Sequence, residues 1–436
     1  MKIEKKEREF ANDLIEFIYK SPTAFHCIET CRNMLDEKGF ERLHIAGKWD
    51  VKKGGKYYVE KNSSAIIAFT VNSENIEEEG FGIIGSHSDF PAIKIKPSPE
   101  MVQSEGYFKL NTEIYGGPIL NTWMDRPLAV AGRVVTKGKS PLRPEETLIN
   151  IKRPVAVIPN LAIHMNREVN KGIELNRQID MIPLVSTVGK QFKKEGFIKN
   201  LIADELEIDI ESIIDFELYF YEYEKGMLCG LDGEFISAPR LDNISMVHAS
   251  LNALLASRAD RGVSIVCVFD NEEVGSSTKQ GADSPMLRNV MERICIGLGK
   301  DRDGFFRGMY NSFMISADLA HAVHPNKPEK SDPTSRPVVN GGPAIKLSAN
   351  QSYTTDGLSA SIYESICEGE KIPCQRFLNR SDERGGSTIG PISSTHLDIQ
   401  SVDVGSPVLA MHSARELGGV KDHSMIYRSF LKFFEL

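Results

Sequence analysis

The chain has 436 residues, 26% of them charged, and a formal net charge of −8 at pH 7. That balance argues against a nucleic-acid or anionic-membrane partner, and no apolar run approaches the ~20 residues a membrane span needs. The length suits two or three domains of about 150 residues each. The seven cysteines are odd in number and scattered, with no CxxC pair, and the heavily charged residues 1–9 contain no signal-peptide core; both features point to a reducing, cytoplasmic setting.

Residues 5–20 carry a helical pattern that Ser21-Pro22-Thr23 interrupts, and a second helix is expected from about Phe25 to Lys38, before Gly39. Tyr57-Tyr58-Val59 and Ala65 to Val71 read as paired strands around Lys61-Asn62-Ser63-Ser64. The apolar run Phe81 to Ser86 then leads into His87-Ser88-Asp89. From about residue 97 the character changes. Pro97, Pro99, Gly106 and Gly116-Gly117-Pro118 punctuate β-prone runs such as Leu128 to Val135 and Val155 to Ile158. A polar helical segment from about Thr187 to Glu207 precedes the β-like Asp215 to Tyr223. Arg240-Leu241-Asp242-Asn243 follows a turn and leads into a helix from Ile244 to Ser257; Val263 to Phe269 is a seven-residue buried strand. These signals describe an α/β catalytic domain with a mixed central sheet, residues 1–96 and 236–436, interrupted by a β-rich domain over residues 97–235.

Asp270-Asn271-Glu272-Glu273-Val274-Gly275 follows that buried strand. Adjacent carboxylates at a strand mouth repel each other unless a cation or a proton holds them; taken alone, such a stretch is more often a solvated acidic turn. It has companions. His87 ends one apolar run, Asp318 follows Phe313 to Ala317, His412 follows Val408 to Met411, and Asp242 follows its turn. Ligands of open α/β sheets bind outside the carboxyl ends of the strands, so one site could collect at least four of these five groups. Two His and three acids, Glu273 included, suit zinc, or cobalt or manganese. The set is too rich in imidazole for magnesium or calcium. Five ligands exceed what one open tetrahedral zinc takes, so two ions about 3.5–4 Å apart, sharing one carboxylate, fit better. Glu272, beside Glu273, is then the natural general base. Asp89 either orients His87, as carboxylates do for metal-bound imidazoles, or is a turn acid before Pro91.

The chain resembles the aspartyl aminopeptidase family over nearly its whole length. The resemblance rests on an ordered set of stretches: Ser21-Pro22-Thr23-Ala24-Phe25-His26, Ser86-His87-Ser88-Asp89, Thr122-Trp123-Met124-Asp125-Arg126, Leu161-Ala162-Ile163-His164-Met165-Asn166-Arg167, Asn271-Glu272-Glu273-Val274-Gly275-Ser276, Ser316-Ala317-Asp318, Gly341-Gly342-Pro343-Ala344-Ile345-Lys346 and Met411-His412-Ser413. It implies two zinc ions per subunit on His87, Asp242, Glu273, Asp318 and His412, with Asp242 bridging, and Glu272 as general base. It implies that His164, alone more often a structural histidine, reaches the site of a neighbouring subunit and polarises the substrate carbonyl; a direct metal role for His164 is the weaker alternative. Lys346 and Tyr353, otherwise a solvated lysine and a half-buried tyrosine, become substrate-binding residues. A cis peptide between Asp242 and Asn243 is expected by likeness to related two-metal peptidases. The family further implies a phosphorylase/hydrolase-like catalytic domain, an inserted dimerisation domain, and a homo-oligomer, a tetrahedral dodecamer built from dimers, whose chambers admit short peptides with a free N-terminus. Asn166 and Pro127 depart from the family pattern; neither is an expected ligand.

The expected activity is release of the N-terminal residue, Asp or Glu or a neutral one, from short peptides. A two-metal carboxypeptidase or amide deacylase would use nearly the same ligands. A non-catalytic metal-binding shell is the reading from another class, and the intact Glu272 speaks against it. Met411 reads as packing behind His412, Arg415-Glu416 as an ion pair at a helix start, and His321 and His324 as structural.

Overall fold

The computed structural model describes residues 2–189, 192–383 and 385–436. The chain forms two compact units. The first comprises Met1–Asp89, Gly226–Met411 and Glu416–Leu436; the second comprises Phe90–Lys225 with His412–Arg415.

The first unit is built on a nine-stranded mixed sheet. Its strand order is Glu41–Arg42, Lys56–Lys61, Ala65–Val71, Val263–Phe269, Phe81–His87, Phe313–Ala317, Gln400–Gly405, Ala344–Lys346, Gln375–Phe377. Lys56–Lys61 and Ala65–Val71 pair antiparallel around the expected turn. Val263–Phe269, Phe81–His87 and Phe313–Ala317 lie side by side and parallel, so their carboxyl ends open on one edge. All three are buried almost throughout, as parallel strands covered on both faces are. Phe69, Phe81, Phe269 and Phe305 fill the core around them.

Helices cover this sheet where the sequence supplies an apolar face and a start signal. Lys5–Lys20 buries Leu14, Ile15, Phe17 and Ile18. The second helix runs Ala24–Glu37, and Thr23 caps it by accepting the His26 N–H at 3.4 Å, one of the donors a helix start leaves unpaired. Leu241–Ala256 begins three residues before its expected start. Asp242 and Asn243 at its head have non-helical backbone angles, and the peptide between them is cis, as expected.

Local backbone chemistry decides two further segments. The apolar run Val408 to Met411 is not a strand of the central sheet. Only Pro407–Val408 is strand, paired with Ala320–His321 in a separate two-stranded sheet. Ala410 and His412 adopt left-handed φ angles of 56° and 65°, which end an extended run. Glu416 opens the strand Glu416–Gly419 rather than a helix.

The second unit holds a six-stranded antiparallel sheet in the order Arg143–Ala156, Leu128–Ser140, Ile213–Glu222, Ala92–Val102, Tyr107–Tyr115, Leu184–Thr187. Phe108, Trp123, Leu218 and Phe220 form its core. The helix expected from Thr187 begins only at Phe197, and Lys190 and Gln191 of that span lie outside the described residues. Lys193-Lys194-Glu195 offers no apolar stripe and Gly196 stands at φ 72°. The helix starts where Ile198 and Ile202 give it a face to bury.

Asp422, near the start of the helix Val420–Phe434, is fully buried and accepts the N–H groups of Asn340 and Gly342 at 2.5 and 2.8 Å. Burial raises its carboxyl to about 7, against the lowering effect of those two hydrogen bonds. Because the folded value lies above the ordinary one, the stability linked to its proton is fully present below about pH 4 and is lost as pH rises through about 7. Asp422→Asn cannot titrate. In chelator, its stability deficit relative to the parent should shrink by about 2–3 kcal/mol between about pH 5 and pH 8, at about 1.4 kcal/mol per unit of pKa. Urea unfolding at both pH values measures this, and a constant deficit would show that Asp422 does not titrate there.

Candidate metal centre

Three neighbouring strands of the first unit deliver the central residues. After Val263–Phe269 the chain turns through Asn271 at φ 64° into the short 3-10 turn Glu272–Val274, closed by Gly275 at φ 98°. Asp89 holds this turn: its Oδ1 accepts the Glu272 N–H at 3.0 Å and its Oδ2 the Glu273 N–H at 3.1 Å. The same Oδ1 lies 3.4 Å from His87 Nδ1, which is also 3.0 Å from the Asp89 carbonyl oxygen. One carboxylate thus fixes both the imidazole and the acidic turn.

With Nδ1 engaged, His87 presents Nε2 to three acids. Asp242 Oδ1 lies at 3.6 Å, Asp318 Oδ1 at 3.8 Å and Glu272 Oε2 at 3.9 Å. These gaps are too long for hydrogen bonds and somewhat wider than the roughly 3.3–3.4 Å between ligands of a tetrahedral cation at about 2.0–2.1 Å. His87, Asp242 and Asp318 offer three donor atoms all within 4.8 Å of one another, and Asp242 and Glu273 likewise offer carboxylate oxygens within that distance. Asp242 is therefore common to both groupings. Its N–H donates to Glu416 Oε2 at 2.9 Å, and Asn243 Nδ2 donates to the Ala317 carbonyl at 2.8 Å. The helix head is thereby stapled to the end of the Asp318 strand.

The electrostatics fit a cation. Burial pushes the Glu272 carboxyl up to about 8; the charges of Asp318, Glu273 and Asp89 add to this and His87 opposes it. Burial alone would lower His87, yet the nearby carboxylates of Asp318, Asp89 and Glu272 carry it well above its ordinary value. That upward shift of a buried imidazole marks a strongly negative pocket, and imidazole plus carboxylates is a donor set that zinc takes.

The remaining expected residues are placed as follows. His412 opens the segment 412–415 of the second unit, one residue after Met411 of the first. Its Nδ1 lies 3.2 Å from the Gly117 carbonyl and its own carbonyl accepts the Ile119 N–H at 2.9 Å. His164 lies exposed in the second unit on the long connection between Arg143–Ala156 and Leu184–Thr187, where Leu161, Ile163 and Met165 are exposed too. Lys346 is only 4% exposed, with Nζ 3.2 Å from Asp318 Oδ2 and 2.8 Å from the Leu319 carbonyl, 4.9 Å from the centre of the buried Tyr353 ring. Asp318 is held well below the usual carboxylate range: burial would raise it, but Lys346 and His87 outweigh that.

Sequence reasoning missed two supporting acids. Glu416, 3% exposed, carries no signal beyond being a lone acid in a short strand. Asp403 had one: an acid between Val402 and Val404 in a buried strand demands partners. It accepts Thr354 N–H at 2.6 Å and Thr388 Oγ1 at 2.7 Å.

The family model of the aminopeptidase I zinc metalloproteases (M18) matches residues 17–434. The chain is 56% identical to the probable M18 family aminopeptidase 2 of Clostridium novyi (strain NT), over 99% of this chain and 100% of that one. Among solved structures it is similar to a chain of the Ape4 and Nbr1 complex, with 34% identity, a TM-score of 0.94, and coverage of 100% of this chain and 87% of that one. It is similar also to the mApe1 dodecamer of S. cerevisiae, with 28% identity, a TM-score of 0.86, and coverage of 99% and 97%. With a donor set that suits zinc and a family match over nearly its whole length, the chain belongs to the M18 family of metallo-aminopeptidases.

Proposed function

We propose that the chain hydrolyses the first peptide bond of short peptides with a free N-terminus, using two zinc ions held by five side chains. His87 and Asp318 would hold one ion, Glu273 and, by the family resemblance, His412 would hold the other, and Asp242 would serve both. The observation that carries this reading is the Asp242 carboxylate, common to the His87–Asp318 grouping and to Glu273. Cobalt and manganese suit the same donors. When bound, the ions supply Lewis acidity and a water acidic enough to ionise near neutrality.

The chain's own groups do the rest. Glu272 takes the proton of the attacking water and returns it to the leaving amine. Asp89 keeps Nδ1 of His87 engaged and fixes the peptide that carries Glu272. The surrounding acids attract the substrate's free amine, which makes the enzyme an exopeptidase. His164, on its exposed loop, polarises the scissile carbonyl in a neighbouring subunit. The dodecameric state of the similar S. cerevisiae structure supports a dodecamer, and its tetrahedral arrangement from dimers joined through the second unit is part of the proposal.

Metal-loaded protein should cleave free-amine peptides and leave their N-acetylated counterparts intact; the reverse preference would identify a deacylase or carboxypeptidase. Elemental analysis of stripped and reloaded protein should approach two equivalents per chain. Full activity at a firm limit of one equivalent would refute the shared Asp242.

A further inference from the structure

Lys346 sits on Ala344–Lys346, between Gln400–Gly405 and Gln375–Phe377 in the central sheet. Its ammonium has three donors, and three partners take them: Asp318 Oδ2 at 3.2 Å, the Leu319 carbonyl at 2.8 Å, and the face of Tyr353 with Nζ 4.9 Å from the ring centre. Those partners are themselves fixed. Thr354, next to Tyr353, donates its N–H to Asp403, and the Tyr353 hydroxyl receives Asn379 Nδ2 at 3.4 Å. The Asp318 N–H is bound to the Val404 carbonyl at 3.0 Å. The two oxygens of Asp318 thus have different neighbours: Oδ2 meets Lys346, while Oδ1 lies 3.8 Å from His87 Nε2.

We infer that Lys346 is a positioning residue that commits Oδ2 of Asp318 and so limits this ligand to one oxygen toward the metal, rather than a residue that meets the substrate's side chain. The inference rests on the metal-centre reading above. A carboxylate freed from its partner can turn both oxygens to one cation, as carboxylates of flexible sites do. That raises the coordination number and fills the position kept open for water. A buried ion pair costs desolvation of both charges, and here the cost is offset by a defined ligand geometry.

Cobalt reads coordination number directly, because four-coordinate Co²⁺ absorbs visible light far more strongly than five- or six-coordinate Co²⁺. Lys346→Met should load cobalt but show a visible absorption several-fold weaker than the parent, with kcat lowered by about 10–100-fold, the range for lost support of a metal ligand. The ratio of KM for an Asp-initiated and an Ala-initiated peptide should stay at the parent's value. An unchanged cobalt spectrum, or a KM rise confined to the Asp-initiated peptide, would overturn the positioning role. If Lys346→Met does not fold, Lys346→Arg keeps a donor on Oδ2: an unchanged spectrum and KM ratio support the inference, and a shifted KM ratio overturns it. A parent protein that took up no cobalt would overturn the metal centre itself, whereas the variant outcomes bear on Lys346 alone.

Discussion

Glu272→Gln should lower kcat by about 10²–10⁴-fold, the range for loss of a general base, while metal content and native mass stay at the parent's values. Gln is nearly isosteric and keeps the backbone N–H that Asp89 Oδ1 binds at 3.0 Å, so the turn survives. What disappears is the group that accepts a proton. Glu273→Gln separates the roles of the two adjacent acids: it should release metal, because Glu273 and Asp242 bring their oxygens within ligand distance of each other. Elemental analysis beside kcat reads both. Near-normal turnover in metal-replete Glu272→Gln would move the base elsewhere.

His164→Ala should leave metals and oligomer intact and lower kcat by about 10²–10³-fold, the usual loss when a group that stabilises a developing oxyanion is removed. His164 stands exposed beside the exposed Leu161, Ile163 and Met165, as a loop that docks against another chain would. Mixing His164→Ala with Glu272→Gln subunits tests the direction of action. Each lacks a different group, so mixed assemblies regain activity wherever an intact His164 faces an intact Glu272. If subunits are shown to exchange and no activity returns, His164 serves its own chain or the fold.

The elements that positioned correctly on paper are those whose signal is local. Val263–Phe269 is an apolar run broken only by Ser264 and Lys5–Lys20 a periodic one, and the fold uses both as read. Thr23, read only as part of a break between helices, also caps the second of them, a contact between near neighbours. The acids behind His87 and Glu273 were legible as a group, since like charges gathered at strand ends require a counter-charge. What the sequence could not display is pairing across long separations. Lys346 lies 28 residues from Asp318, and Asp242 lies 174 residues from Glu416. Nothing in either residue type says that the lysine will be buried or that the glutamate will receive a helix head. The run before His412 leaves the choice open for a different reason: composition allows a strand there, and the left-handed turns at Ala410 and His412 prevent it.

The first unit closes through the last stretch of the chain. Glu416 receives the Asp242 N–H, Glu416–Gly419 pairs with Phe235–Ala238, and His423 reaches His248 at 2.9 Å. The carboxylate shared by both ligand groups therefore takes its final support from a residue 174 positions away in the chain. Contacts of such long reach form late in folding. Damage to either strand of that pair, Phe235–Ala238 or Glu416–Gly419, would therefore reach the shared carboxylate without touching a ligand.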